Sequence, residues 1–292
     1  MTNTVLDKLD IVLTRAAHQI EASAQSFENL GATVIRAPSI RLIEPPPPND
    51  RIYQRGRWMV PKSELSRMLW RFDWIIFTSV NAVNFAELAW RGIGGLKSAL
   101  TYEADVDELR IRQRKIACIG KSTKDYLNHL GIQVDVSPKN FHAEALLVAL
   151  QSKLSYKDLK QQRILIPRAL VAREILPKAL RAMGVEVWIT PLYQTLNAQL
   201  TPACKQMICH ISNREMNRAI TFTSNSTMKG FISQFSETEL NLIKNEYDTF
   251  VIGPIIKKAA MTEGFKVVSM AHPHNMSGLI KAVMNYYSKG EA

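Results

Sequence analysis

At 292 residues the chain is too long for one average domain and comfortable for two. Its 46% hydrophobic and 22% charged residues exclude a disordered polyelectrolyte, and no apolar run approaches the roughly 18 residues of a membrane span. A net charge of +11 favours a polyanionic partner, and the polar opening Met1 to Asp10, with no apolar stretch of signal-peptide length behind it, suggests a cytoplasmic protein.

In chain order, one unit recurs: a short β-branched run, a small polar residue, an amphipathic helix, then Gly and another β-run. Strand 11–13 leads through Thr14 and Arg15 into a helix whose apolar face is Ala17, Ile20, Ala24 and Phe27, at helical spacings of three and four. Gly31 supplies the left-handed stop, and strand 33–37 follows, so the stretch reads as a βαβ unit with parallel strands. Further strands are predicted at 74–77, 116–119, 134–136, 163–166, 185–189, 219–222, 249–252 and 266–269. Among the helices between them, one is built on Val171, Ile175, Leu176 and Leu180 and ends at Gly184. Ten strands fit two sheets better than one.

The strand order contains a duplication. Leu13-Thr14-Arg15, Gly31 to Pro38, Phe77-Thr78-Ser79, Ile119-Gly120 and Gly131 to Val134 come first. Ile166-Pro167-Arg168, Gly184 to Pro191, Phe222-Thr223-Ser224, Ile252-Gly253 and Gly264 to Val267 repeat them in the same order. Thr14, Thr78, Ser79, Gly120, Arg168, Thr223, Ser224 and Gly253 all stand where a predicted strand ends and a helix begins. Open parallel sheets bind ligands at those carboxyl ends, and the free N–H groups of the helix starts suit anions. Ser and Thr also cap helices for purely structural reasons, which accounts for any one of these positions better than for the matched set.

Other features carry less. The basic run Arg110-Ile111-Arg112-Gln113-Arg114-Lys115 reads as a solvated loop, and without a helix-turn-helix or aromatic-basic motif no nucleic-acid partner is expected. Cys118, Cys204 and Cys209 imply no disulfide framework. Cys204, Cys209 and His210 lack the second ligand pair of a zinc site, so no metal is expected. His272-Pro273-His274 reads as a solvated loop. No long apolar stripe argues against a monomer.

Taken together in order, several motifs resemble the uroporphyrinogen-III synthase family over nearly the whole chain. They are Leu13-Thr14-Arg15, Trp74 to Val83 with Phe77-Thr78-Ser79 and Asn81, Ala117 to Thr123, Ile166-Pro167-Arg168, Pro191-Leu192-Tyr193-Gln194-Thr195, Phe222-Thr223-Ser224 and Ile252-Gly253-Pro254. The resemblance implies an α/β fold of two flavodoxin-like lobes, each a five-stranded parallel sheet flanked by helices, joined by a two-stranded hinge. The first lobe is expected to combine 1–42 with 196–292 and the second to hold 46–190, with crossings near 40–50 and 189–200. The run Pro45 to Pro48 suits a crossing as a stiff polyproline spacer.

The resemblance also implies the chemistry: hydroxymethylbilane, a polycarboxylate, is cyclised with loss of water and inversion of its last ring through a spiro intermediate, without a cofactor. The substrate is expected from hydroxymethylbilane synthase, by a possible transient hand-over. Tyr193 matches the family's candidate proton donor to the leaving hydroxyl. Thr14, Arg15, Thr78, Ser79, Asn81, Gly120, Ser122, Thr123, Arg168, Thr223, Ser224 and Gly253 match substrate-binding positions. One departure is Gly253-Pro254-Ile255-Ile256 where the family often has Gly-Pro-Thr-Thr, so a hydroxyl expected to face substrate is replaced by Ile256. The rival reading is a non-catalytic two-lobed binding protein for a small polyanion.

Overall fold

A computed structural model describes residues 5–46, 53–54, 57–59, 69–101, 114–138, 143–153, 158, 160–210 and 215–288. In chain order these form β1 (Leu9–Leu13), α1 (Ala17–Glu28), β2 (Thr33–Arg36), β3 (Ile40–Ile43), β4 (Tyr53–Gln54) and β5 (Arg57–Met59). Then come β6 (Trp74–Phe77), α2 (Val80–Ala89), α3 (Gly95–Thr101), β7 (Lys115–Cys118), α4 (Lys121–His129) and α5 (Ala143–Lys153). The chain continues through β8 (Arg163–Ala169), α6 (Ile175–Ala182), β9 (Glu186–Asn197), α7 (Pro202–Cys209), β10 (Asn217–Phe222) and α8 (Asn225–Ile232). It closes with α9 (Glu237–Glu246), β11 (Asp248–Val251), α10 (Pro254–Thr262), β12 (Val267–Met270) and α11 (Met276–Tyr287). Two compact units result, one of Met1–Leu42 with Thr195–Ala292, the other of Ile43–Gln194.

The first unit holds a five-stranded, wholly parallel sheet in the order β12-β11-β10-β1-β2. Its strands are apolar on both faces because helices cover both. In β1, Val12 joins the cluster with Phe222, Phe231 and Ile256, while Ile11 and Leu13 join Phe27, Phe250 and Leu279 on the other side. Each such fully buried side chain contributes about 1.5–3 kcal/mol. The second unit holds the order β4-β5-β9-β8-β6-β7, with β3 also pairing β9. Its core gathers Trp74, Ile76, Ile164, Ile166, Leu176 and Val187. Among the described residues no helix is long and apolar enough to cross a membrane.

The duplication is real in sequence and exchanged in space. Counting strands from β1, the first copy ends near Val136 and the second starts at β8. Yet β1 of the first copy pairs with β10 of the second, and β6 of the first pairs with β8 of the second. Each sheet therefore takes its first βαβ turn from one copy and the remainder from the other. The first sheet then shows the doubly wound order 2-1-3-4-5, and the second shows its 2-1-3-4 part in β9-β8-β6-β7.

The second sheet, like the first, carries five strands in one parallel run, β5-β9-β8-β6-β7, to which β4 adds antiparallel and β3 pairs β9. Other expectations are corrected. The predicted strand 134–136 shrinks to one bridge, Ala117 to Val136, since the Asp135 carboxylate itself accepts the Ile116 N–H at 2.7 Å. The helix built on Val171 starts only at Ile175, leaving Val171 88% exposed. Gly31 and Gly184 do cap their helices at positive φ, 96° and 78°. Residues 110–113 of the basic run and 47–48 of the proline run lie outside the described residues.

Candidate active site

Both units present the carboxyl ends of their central strands as a row of helix starts. In the first unit, Thr14 is fully buried and its hydroxyl donates to the Thr221 carbonyl at 2.7 Å, tying β1 to β10. The hydroxyl is thereby committed to the sheet. Below it, Ser39 is sealed, with its Oγ 2.6 Å from the Thr14 carbonyl and 2.7 Å from that of Thr227. Ser39 was not singled out from sequence; only the returning chain gives it these partners.

Arg15 stands half-buried beside the start of α1, where Ala16 offers no side-chain cap and the first turn holds no acid. Its Nη1 reaches Ser23 Oγ at 3.4 Å, and its buried Nε has no hydrogen-bond partner among the described residues. Burial lowers the Arg15 pKa, and burial followed by the Arg15 charge lowers that of exposed His18. This corner is electropositive, and among the described residues no carboxylate pairs with Arg15.

Thr223 is half-buried at the end of β10. Ser224 caps α8 through a reciprocal box: its Oγ accepts the Thr227 N–H at 3.2 Å, and Thr227 Oγ1 accepts the Ser224 N–H at 3.2 Å. Gly253 starts α10 in ordinary extended backbone, φ −171°. Ile256 is only 4% exposed and belongs to the core cluster. Its counterpart Thr123 is likewise 4% exposed.

In the second unit, Thr78 ends β6 half-buried and Ser79 caps α2, its Oγ accepting the Ala82 N–H at 3.1 Å. Asn81 lies half-buried in the first turn of α2. Gly120 starts α4 at φ 94°, a backbone only glycine adopts readily, with Ser122 exposed in the following turn. A register shift between Arg168 and Ala169 pairs Arg168 with Pro191 but Ala169 with Tyr193, so Leu192 is extra. Bulges of this kind re-aim the next side chain.

Tyr193 is 7% exposed, stacked on Phe85 with ring centroids 4.9 Å apart, and its hydroxyl lies 3.2 Å from Ser79 Oγ. Burial raises its pKa, opposed in part by the Ser79 hydrogen bond, so the phenol stays protonated. Arg168 is 5% exposed and committed internally: it forms an ion pair with Glu174 and donates to the Arg173 carbonyl at 3.1 Å. Its guanidinium holds the loop after β8 in shape. Sequence reasoning found Ser79, Arg168 and Tyr193 but missed their partners Phe85 and Glu174, which no spacing rule singles out.

Features outside these edges are structural. Arg114 donates to the Leu69 and Leu100 carbonyls at 3.0 and 2.6 Å. Cys204 Sγ lies 3.6 Å from the Arg36 carbonyl, and burial raises the Cys204 and Cys209 thiol pKa values. Among the described residues no group of three His, Cys, Asp or Glu is placed to hold a metal.

The fold and these edges define a class: a protein of two doubly wound α/β units whose strand ends carry hydroxyls, helix N-termini and guanidinium groups suited to carboxylates. Comparison narrows the class. The family described as uroporphyrinogen-III synthase HemD matches residues 21–281. A putative uroporphyrinogen-III synthase of Methanothermobacter thermautotrophicus is 25% identical over 262 residues, 89% of this chain and 91% of that protein. A uroporphyrinogen-III synthase of Synechococcus elongatus is 28% identical over 229 residues, covering 76% and 72%. In fold, the chain is similar to a mutant uroporphyrinogen III synthase from Thermus thermophilus, with TM-score 0.58 at 14% identity over 97% of this chain and 99% of that one. The Helicobacter pylori uroporphyrinogen-III synthetase gives TM-score 0.57 at 14% identity over 95% and 99%. The chain belongs to the uroporphyrinogen-III synthase family.

Proposed function

We propose that this protein cyclises hydroxymethylbilane to uroporphyrinogen III, a carbon–oxygen lyase reaction in which the terminal ring is inverted through a spiro intermediate. The observation that carries the catalytic assignment is the Tyr193 hydroxyl: buried, held by Ser79, braced by Phe85 and kept protonated. A neutral phenol of this kind donates a proton to a leaving hydroxyl. In each unit taken by itself, the free N–H groups of the helix starts, at Ser79 and Gly120 in one and at Ser224 and Gly253 in the other with the charge of Arg15, suit carboxylates of the substrate. Each such contact contributes about 0.3–1 kcal/mol, so binding is shared over many positions. Thr14 and Arg168 act by framing these edges, since their polar groups are sealed or already engaged, while Thr123 belongs to the binding set. Thr78, Asn81, Ser122 and Thr223 complete the binding set.

On this reading the work is positioning and electrostatics, and the chemistry calls for no cofactor. The protein acts as a cytoplasmic monomer, receiving substrate from hydroxymethylbilane synthase. The non-catalytic binding protein is not favoured, because it leaves the protonated, held phenol without a task. The test supplies fresh hydroxymethylbilane to purified protein, oxidises the products and separates the uroporphyrin isomers. Predominance of the type III isomer is expected; only type I from folded protein overturns the reading.

A further inference from the structure

We infer that Ser79 is a positioning residue that acts through Tyr193, donating its hydroxyl proton to the tyrosine oxygen so that the tyrosine proton is left for the substrate. This rests on the role of Tyr193 proposed above, and it assigns Ser79 a task other than holding a carboxylate.

A serine hydroxyl has one proton and two acceptor lone pairs. One lone pair of Ser79 takes the Ala82 N–H at 3.1 Å, as its place at the head of α2 requires. Among the described residues its proton meets one acceptor, the Tyr193 oxygen at 3.2 Å. The Tyr193 hydroxyl likewise has no other hydrogen-bond partner among the described residues, and its ring is fixed by Phe85. Once a leaving hydroxyl stands before the phenol, a single directed chain satisfies every group: Ala82 N–H to Ser79, Ser79 O–H to Tyr193, Tyr193 O–H to substrate. Such chains polarise cooperatively.

The matching site in the first unit shows the contrast. There the third helical residue after Ser224 is Thr227, whose Oγ1 closes a capping box and lies 3.4 Å from Ser224 Oγ. In the second unit the third residue is Ala82, which offers no oxygen. Ser79 is thereby left to face Tyr193. Two copies of Phe-Thr-Ser have the same cap and different duties.

In the step itself, the C–O bond breaks with its electron pair on oxygen, which takes the Tyr193 proton and departs as water. The phenolate left behind is stabilised by the Ser79 O–H. The pyrrole N–H proton released in forming the azafulvene restores the phenol through solvent.

The experiment measures kcat, KM and isomer ratio with hydroxymethylbilane for Tyr193→Phe, Ser79→Ala and the double variant. Ser79→Ala is expected to lower kcat about tenfold with KM within about twofold, and to lower it no further in the Tyr193→Phe background. Ser79→Asp keeps the α2 cap, guarding against a folding defect, but only accepts hydrogen bonds. It turns the phenol proton away from substrate and is expected to lower kcat as far as Tyr193→Phe does. Equal Ser79→Ala losses in both backgrounds, or a loss confined to KM, overturn the role of Ser79 while leaving Tyr193 standing. Full turnover by Tyr193→Phe instead removes the reading on which the inference rests.

Discussion

At the residue scale the two strand-end rows differ in how freely their side chains meet a ligand. Tyr193 is marked by a motif; on the proposed reading, burial and the Ser79 and Phe85 contacts are what equip it for acid work. We expect Tyr193→Phe to lower kcat by about 100-fold or more in the isomer assay while the protein melts within a few degrees of the parent. Ser224 caps α8, so Ser224→Ala is expected to cost about 1 kcal/mol in urea unfolding and to weaken activity without abolishing it. Ile256 is described differently by motif and by packing. Seen against the family pattern it is a missing hydroxyl; in the structure it is packed with Val12 and Phe222. Ile256→Thr is therefore expected to destabilise by about 2 kcal/mol, by losing packing and burying a hydroxyl, with no gain in type III yield.

At the scale of elements, periodicity located most strands and helices and failed where a side chain replaced a backbone partner. Val171 has helical spacing to Ile175, but Arg168 takes the Arg173 carbonyl and the Glu174 carboxylate, and the segment becomes a loop. Strand 134–136 is reduced to a bridge by the Asp135 carboxylate. Neither guanidinium nor carboxylate announces such a partner in sequence. Close approach of elements is equally hidden. A Cβ on Gly230 of α8 would stand 2.3 Å from the Ser39 carbonyl oxygen. Alanine in a helix ordinarily gains up to about 1 kcal/mol over glycine, but this contact decides the sign: Gly230→Ala is expected to cost about 3 kcal/mol, read by thermal or urea unfolding.

At the scale of the whole molecule, charge and buried phenols set the response to conditions. The Tyr247 hydroxyl donates to the Ile208 carbonyl at 2.8 Å and that of Tyr287 to Asp248 at 3.2 Å, and burial pushes both pKa values up. The unfolded chain therefore ionises first. The stability of these groups is fully present below about pH 10 and is lost as pH rises towards their folded values. Melting temperature is expected to hold to about pH 9.5 and then fall, with Tyr247→Phe flattening the fall. The net charge of +11 acts on a polycarboxylate from a distance, so KM is expected to rise with added salt while kcat holds.

Sequence alone determined the class of fold, the duplicated strand-helix units and the positions at which strands hand over to helices. These follow from local preferences, period-two and period-3.6 patterning, glycine caps and hydroxyl caps, all readable within a dozen residues. What local patterning left open, and only tertiary structure decided, is which strands of the two copies pair. The exchange of the first βαβ turn between sheets depends on pairing between strands some two hundred positions apart, such as Ile11 with Ala219, where the local pattern is the same in either arrangement. A long stretch of chain likewise separates Ser79 from Tyr193 as a chemical pair: 114 positions apart, they meet because β9 runs beside β8 and β8 beside β6. A hydroxyl in sequence is a cap or a ligand by type; which partner receives its proton is settled by the neighbours the fold brings within 3 Å or so.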